Sequence, residues 1–373
     1  MIYLDNAATT LKKPWAVRRE CARCLKSFCA NGGRGGHKVA MLASRKIYEC
    51  RESLATLFHI DDPTRIIFTQ NATASLNVAI KGIITPDSHI IITGMEHNSV
   101  LRPIAASGAS YSIASPDKYG FVSAKSIESE IRDNTKLIVA THASNIVGTI
   151  NPIYEIGLLA KNKKIPFLVD AAQTAGVIPI NVDENNISML AFTGHKALYG
   201  PTGTGGLYIS PNVTLSTLIE GGTGSVSESF SQPDFLPDRF ESGTLNTLGI
   251  VGLLEGVNFV LKNTETEIHR QELILANRLI EGLSEIKGVK VYGGENRVGV
   301  IGFSIEGLSS TEAANRLDSE YNIACRGGMH CAYLAHKSIG TEENGLVRFS
   351  LSFFSTEKEI EKAIKAVSHL KQS

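Results

Sequence analysis

His195 and Lys196 stand together in a loop that also carries Gly194, Gly200, Gly203, Gly205 and Gly206. The apolar runs on either side, Met189 to Phe192 and Leu207 to Ile209, read as strands. A lysine at the end of a buried strand, among glycines that let backbone approach a ligand, suits Schiff-base chemistry. Desolvation lowers a lysine's pKa, which leaves its amine neutral and nucleophilic near neutral pH. A Walker loop is excluded because Gly206 is followed by Leu207 rather than by a lysine and a hydroxyl residue. A dinucleotide fingerprint fails because Gly203-Thr204-Gly205 opens no helix. The competing reading is a solvated lysine on a surface hairpin.

Other chemistry-bearing residues fall at strand ends. Ile66 to Thr69 reads as a strand that runs into Gln70-Asn71-Ala72-Thr73 and then a helix through Ile80. Free backbone N–H groups and the Thr73 hydroxyl there make a ready anion site, with a plain helix cap as the alternative. His97 follows the strand His89 to Thr93, Asn145 follows Leu137 to Thr141, and Asp170 closes Pro166 to Val169. Cys21 and Cys24 share one helical face, but no second Cys or His pair follows. They read as packing residues, and no metal site is expected.

The elements that must position these residues alternate. Strands expected at 66–69, 89–93, 110–114, 137–141 and 166–169 are separated by helices at about 42–58, 72–80, 122–131 and 153–162. Ahead of them, Tyr3 to Thr10 reads as a short strand and turn, and Leu11 to Phe28 as a helix. The glycine-rich turn Asn31 to His37, bearing Arg34, reads as a site rim or a simple loop. The βα rhythm argues for a mostly parallel sheet with ligands at its C-terminal strand ends. Beyond it come helices from 248 onward and over 264–286. A smaller α+β unit follows, with strands near 290–292, 300–305 and 346–351 and helices at 310–321 and 356–370. The expected division is 1–260 and 261–373, with residues 1–15 packing onto the smaller unit.

The chain has 373 residues, 43% of them hydrophobic, enough for two substantial cores. Its 37 basic and 37 acidic side chains give no electrostatic reason to expect nucleic acid or an anionic membrane as partner. No apolar run reaches membrane-spanning length, and the start lacks the pattern of a signal peptide. Six cysteines without a disulfide framework fit a reducing cytoplasm.

A lysine, a carboxylate at a buried strand end and a polar turn before a helix match the needs of pyridoxal 5'-phosphate. YLDNAATT, the Gln70–Thr73 turn, MEHNS, SNIVGTINP, VDAAQ, GHK with GPTG, RFESGT and RGGMHCA span nearly the whole chain. Together they resemble the fold-type I, class V aminotransferase superfamily. The nearest resemblance is to Suf-type (group II) cysteine desulfurases and selenocysteine lyases, although Met329 stands where that group usually carries histidine. The resemblance implies a large α/β domain with a mostly parallel seven-stranded sheet plus a smaller α+β C-terminal domain. It implies that Lys196 forms the Schiff base and that Asp170 pairs with the pyridinium nitrogen. Gln173 would bond the phenolic oxygen, and His97 would stack on the ring. Ala72, Thr73, Thr193 and His195 would hold the phosphate.

Asn145 would contact substrate or ring oxygen, Arg348 would take the substrate carboxylate, and Arg326 would be a second anion contact. Thr244 would reach the phosphate of a neighbouring subunit, which implies a homodimer with composite sites. Cys331, in Arg326-Gly-Gly-Met-His-Cys-Ala332, would attack the sulfur of L-cysteine, leaving alanine and a persulfide for an acceptor protein, as in iron–sulfur cluster assembly. Nearby Arg326 and His330 would favour its thiolate. Alternatives are L-selenocysteine as substrate, or an aminotransferase, epimerase or other lyase in which Cys331 is incidental. Cys325, directly after apolar Ile323-Ala324, reads as a strand-end packing residue.

Overall fold

The computed structural model describes residues 1–33 and 35–372; Arg34 on the glycine-rich turn lies outside them. Its larger sheet has seven strands in the order Ile66–Thr69, Gly205–Ile209, Met189–Thr193, Phe167–Asp170, Thr135–Thr141, His89–Thr93 and Ser110–Ala114. Gly205–Ile209 runs antiparallel to both neighbours, and all the other pairings are parallel. The inner strands are buried on both faces, as their unbroken apolar runs require. Ile91, Ile138, Val169 and Leu190 join one core, whereas Ile90, Val139, Leu168 and Met189 join the other. That split is the period-two alternation of a sheet covered on both sides.

The register aligns the functional ends. Thr141 lies beside Asp170, Asp170 beside Ala191, and Thr193 beside Gly205, which in turn pairs with Thr69. Polar residues from separate stretches of sequence thus meet along one edge of one sheet.

A second sheet has the order Arg326–Gly328, Leu346–Ser350, Val300–Ile305, Val289–Tyr292, all antiparallel. Residues of helices Glu265–Ser284 and Ser310–Tyr321, together with Ile360, Ala363 and Val367 of the final helix, close its own core. Ile2–Tyr3 pairs in parallel with Ile323–Ala324, and Leu4 is buried in this same core. Farther along, Thr10 returns to the larger sheet, donating from N to the His195 carbonyl at 3.0 Å and from Oγ1 to the Lys196 carbonyl at 2.6 Å.

Several elements differ from the sequence reading. The helix expected at about 122–131 is only Ala124–Glu128, because Ser129 to Asn134 form turns that lead straight into the strand at Thr135. The helix expected from 42 begins at Lys38, where the His37 ring accepts from Ala40 N. Of the stretch Tyr3 to Thr10 only Tyr3 is strand, as the end of Ile2–Tyr3, and a turn at 6–8 follows. The strand end read at Cys325 is there as Ile323–Ala324, whereas strand Arg326–Gly328 and helix Tyr333–Ile339 were not anticipated. The strands exist through pairing with distant segments, which local pattern does not carry.

Candidate active site

At the C-terminal edge of the larger sheet lies a cleft open to solvent, where ligands of open α/β sheets bind. Asn71, Ala72, Thr73, His97, Asn145, Asp170, Gln173, Thr193, His195 and Lys196 line it, with Leu76, Ser99, Thr141 and Ala172. Nine of these ten leading residues were expected from sequence, and Asn71 lies within the turn already singled out.

Lys196 is half-buried at the cleft wall, and desolvation there lowers its ammonium to about 8, with Asp170 pulling in the opposite direction. Asp170 accepts from Ala172 N on Oδ1 at 2.9 Å. Burial raises its pKa, against the Ala172 N–H and the Lys196 charge, which lower it. A cationic ring nitrogen beside Asp170 is the partner such a carboxyl lacks.

The opposite end of the cleft is built for an anion. Asn71 caps the helix Ala72–Ile83, its side chain accepting from Ala74 N at 3.0 Å. The N–H groups of Ala72 and Thr73 open that helix, where the helix dipole favours negative charge. Asn71 is thus a helix cap, as one reading of the turn expected, and the next residues line the cleft. Thr73 Oγ1 is 2.7 Å from Ser99 Oγ, which is 2.8 Å from His97 Nδ1. Ser99 was missed from sequence, although it lies two residues beyond His97 and its backbone N–H donates to the same Nδ1. His195 Nδ1 is buried without a partner, an orphan that a phosphate oxygen or its proton would satisfy. Burial, then the Lys196 charge, lowers both His97 and His195 to about 4, so both rings are neutral at pH 7. Gly205 lets the backbones close here, since a Cβ there would stand 2.8 Å from Asn71 Cα. An amine, a buried acid and a neutral anion cradle fit pyridoxal phosphate. Among the described residues, no group of three or more His, Cys, Asp or Glu is placed to hold a metal ion.

The remaining predicted residues border the cleft or lie apart from it. Asn145 Nδ2 donates to the His330 carbonyl at 2.9 Å, and Asn98 N donates to the Cys331 carbonyl at 2.8 Å. The thiol-bearing loop is thereby tied to the cleft from two sides. His330 and Cys331 have φ of 48° and 55°, a left-handed pair costing of order 1–3 kcal/mol each outside glycine. Those hydrogen bonds hold it, and Cys331 remains exposed.

His330 corrects an expectation. Its Nε2 donates to the Leu346 carbonyl at 2.9 Å, and burial lowers the ring to about 3. A neutral, buried imidazole gives no positive charge to the Cys331 thiol. Arg326 is half exposed and turned to Asp5 at 3.2 Å. Arg348 is buried and joins Asp5 at 2.7 Å and the Asn145 carbonyl at 2.9 Å. Thr244 is exposed, accepts from Asn31 Nδ2 at 3.3 Å, and does not line this chain's cleft. Cys325 is pushed up to about 12 by burial, and Cys24 likewise.

The comparisons agree on one family. A profile described as Aminotransferase class-V matches residues 2–363. The chain is 32% identical over 370 residues to a probable cysteine desulfurase of Methanothermobacter thermautotrophicus, covering 96% of this chain and 92% of that one. It is 32% identical over 384 residues to cysteine desulfurase IscS of Vibrio campbellii, covering 98% and 91%. Among solved structures, the apo cysteine desulfurase of Thermococcus onnurineus NA1 superposes with a TM-score of 0.93 at 33% identity, covering 100% and 94%.

Proposed function

The chain belongs to the aminotransferase class V family, and from that premise we propose that it is a pyridoxal-phosphate-dependent cysteine desulfurase. The observation that carries this reading is the exposed Cys331 on a loop bonded to His97's helix and to Asn145, at the mouth of a cleft holding Lys196 and Asp170. Asp170 would hold the ring nitrogen, Lys196 the aldehyde carbon, and Gln173 the phenolic oxygen. Ala72, Thr73, Thr193 and His195 would hold the phosphate. When bound, the cofactor supplies an electron sink for the substrate's α-carbon.

The residues do the rest. Arg348 orients L-cysteine through its carboxylate, with Asn145 beside it. Lys196, once its amine is free and neutral, takes the α-proton and returns a proton to the carbon skeleton. Cys331, as thiolate, forms an S–S bond with the substrate sulfur as the substrate's Cβ–S bond breaks. That bond's electron pair stays with the carbon, which gains a proton and leaves as alanine. The sulfur remains as a persulfide on an exposed loop, where an acceptor protein can reach it.

A division at about residue 260 is supported by the second sheet's own core, which holds Leu275, Ile301, Phe303 and Phe349. Trp15, Leu25, Met41, Ile219 and Phe230 leave apolar surface exposed, which supports a homodimer in which Thr244 would belong to a neighbour's site. Free thiols at all six cysteines support a reducing cytoplasm.

The test is a paired assay of wild type and Cys331→Ala, each loaded with cofactor and given a dithiol to reduce the persulfide, with L-cysteine and L-selenocysteine supplied separately. Alanine and sulfide from L-cysteine, lost in Cys331→Ala with the cofactor still bound, is the expected result. Activity confined to L-selenocysteine would move the assignment to a lyase. No alanine from either substrate would end both readings.

A further inference from the structure

Asp5 sits between two guanidinium groups. Its Oδ1 accepts from Arg348 Nη2 at 2.7 Å and its Oδ2 from Arg326 Nη2 at 3.2 Å. Arg348 Nη1 donates to the Asn145 carbonyl at 2.9 Å, while Nε is buried with no partner. A carboxylate gripped bidentately by a guanidinium uses Nε with Nη2 or Nη1 with Nη2, so Nη2 enters both grips. Asp5 already occupies that nitrogen.

The two arginines differ in a way that suits an exchange. The Arg348 side chain is 2% exposed and that of Arg326 47%, with Asp5 at 15% between them. A guanidinium as buried as Arg348 needs a counter-anion when no amino acid is bound. Burial depresses its pKa, and Asp5 is the largest influence opposing that. Arg326 faces water and tolerates losing or gaining an anion cheaply. The Asp5 backbone is fixed meanwhile: it bridges to Ser350, Asn6 Nδ2 donates to the Ser350 carbonyl, and Ala7 N donates to Ser350 Oγ. The exchange therefore needs only a side-chain movement.

Resting on the reading of Arg348 as the substrate-carboxylate site, we propose that Asp5 is a built-in competitor of that carboxylate. It holds Arg348 when no amino acid is bound, passes to Arg326 when L-cysteine arrives, and returns as alanine leaves. Two carboxylates then meet two guanidiniums, so the charge of the cluster falls from +1 to zero and neither guanidinium is left without an anion. Asp5 acts as a specificity and release residue, lowering affinity for substrate and product alike and favouring turnover over product retention.

The experiment uses cofactor-loaded wild type, Asp5→Asn, Arg326→Gln and the double variant. Binding of L-alanine is read by visible absorption and by the shift in melting temperature, alongside KM for L-cysteine. Asp5→Asn should tighten L-alanine and lower KM roughly three- to tenfold, the scale of a partly exposed ion pair. Arg326→Gln should weaken both, because Asp5 then has only Arg348 to hold, and the double variant should return to the Asp5→Asn values. Cysteamine, which lacks the carboxylate, should perturb all four proteins equally. A raised or unchanged KM in Asp5→Asn overturns the proposal, because a fixed structural ion pair gives that sign. If Asp5→Asn melts early, Asp5→Ser replaces it with the same expectations. Arg348→Gln tests the underlying reading separately: equal loss of L-alanine and cysteamine binding would remove Arg348 as the carboxylate site.

Discussion

At the scale of single residues, burial decides which groups carry charge. Lys196 is lowered to about 8 chiefly by desolvation, whereas His97 and His195 fall to about 4. The imidazoles therefore stay neutral across the working range, and the lysine is the group that titrates within it. Capture of an aldehyde requires the neutral amine, whose fraction falls about tenfold per pH unit below its pKa. Uptake of pyridoxal phosphate by the cofactor-free protein should thus speed up as pH rises from 6 to 8 and level off above about 9. Stopped-flow absorption checks this, and a rate independent of pH over that span would contradict a titrating Lys196. Lys196→Arg, cationic throughout, should show no covalent uptake at any pH in the same experiment.

At the scale of elements, the cleft depends on how closely strand Gly205–Ile209 approaches the turn before helix Ala72–Ile83. A Cβ at Gly205 would meet Asn71 Cα and the Phe192 carbonyl, each at 2.8 Å. Both are backbone atoms that cannot swing aside, so Gly205→Ala should push the anion cradle open. The expected cost is about 1–3 kcal/mol of stability and at least tenfold in phosphate-dependent cofactor affinity, about 1.4 kcal/mol per decade. Denaturant melts and titration with pyridoxal phosphate against pyridoxal read the two effects apart. Equal losses for both ligands would place the damage elsewhere than in the phosphate cradle.

Much of this level was readable from sequence. Asp170 directly follows an apolar run, His97 and Asn145 each lie four residues past the end of one, and the βα rhythm says that such ends converge. What could not be read was tertiary pairing. Nothing local in YLDNAATT says that Tyr3 and Thr10 belong to opposite sheets, or that Asp5 lies on Arg348. His330 beside a cysteine suggested an activating cation, and only the Leu346 carbonyl and its burial reveal a neutral ring.

At the scale of the whole molecule, two carboxyl groups lie buried where large surfaces meet. Glu96 stands behind Asp170, its Oε1 accepting from Thr93 Oγ1 at 2.6 Å and Thr141 N at 2.7 Å. Glu272, on helix Glu265–Ser284, lines a cavity between the two sheets together with Lys196, Tyr199 and Ser350. Burial, the leading cause in each case, raises both to about 8. A carboxyl of ordinary pKa near 4.5 when unfolded and about 8 when folded binds its proton more tightly in the native state. Its stabilising contribution is full below pH 4.5 and disappears as pH rises through 8. Wild type should therefore lose stability from about pH 5 to pH 9, at up to about 1.4 kcal/mol per pH unit for each group. Glu272→Gln keeps the shape without the ionisable proton, so its stability should fall less steeply over that range and exceed wild type's at pH 9. Guanidinium melts at pH 5, 7 and 9 decide it, and parallel curves for the two proteins would mean that Glu272 is ionised in the native state. The catalytic consequence follows from position. A charged Glu272 would draw water and a cation into the space beside Lys196, so alkaline loss of stability and alkaline loss of turnover should diminish together in the variant.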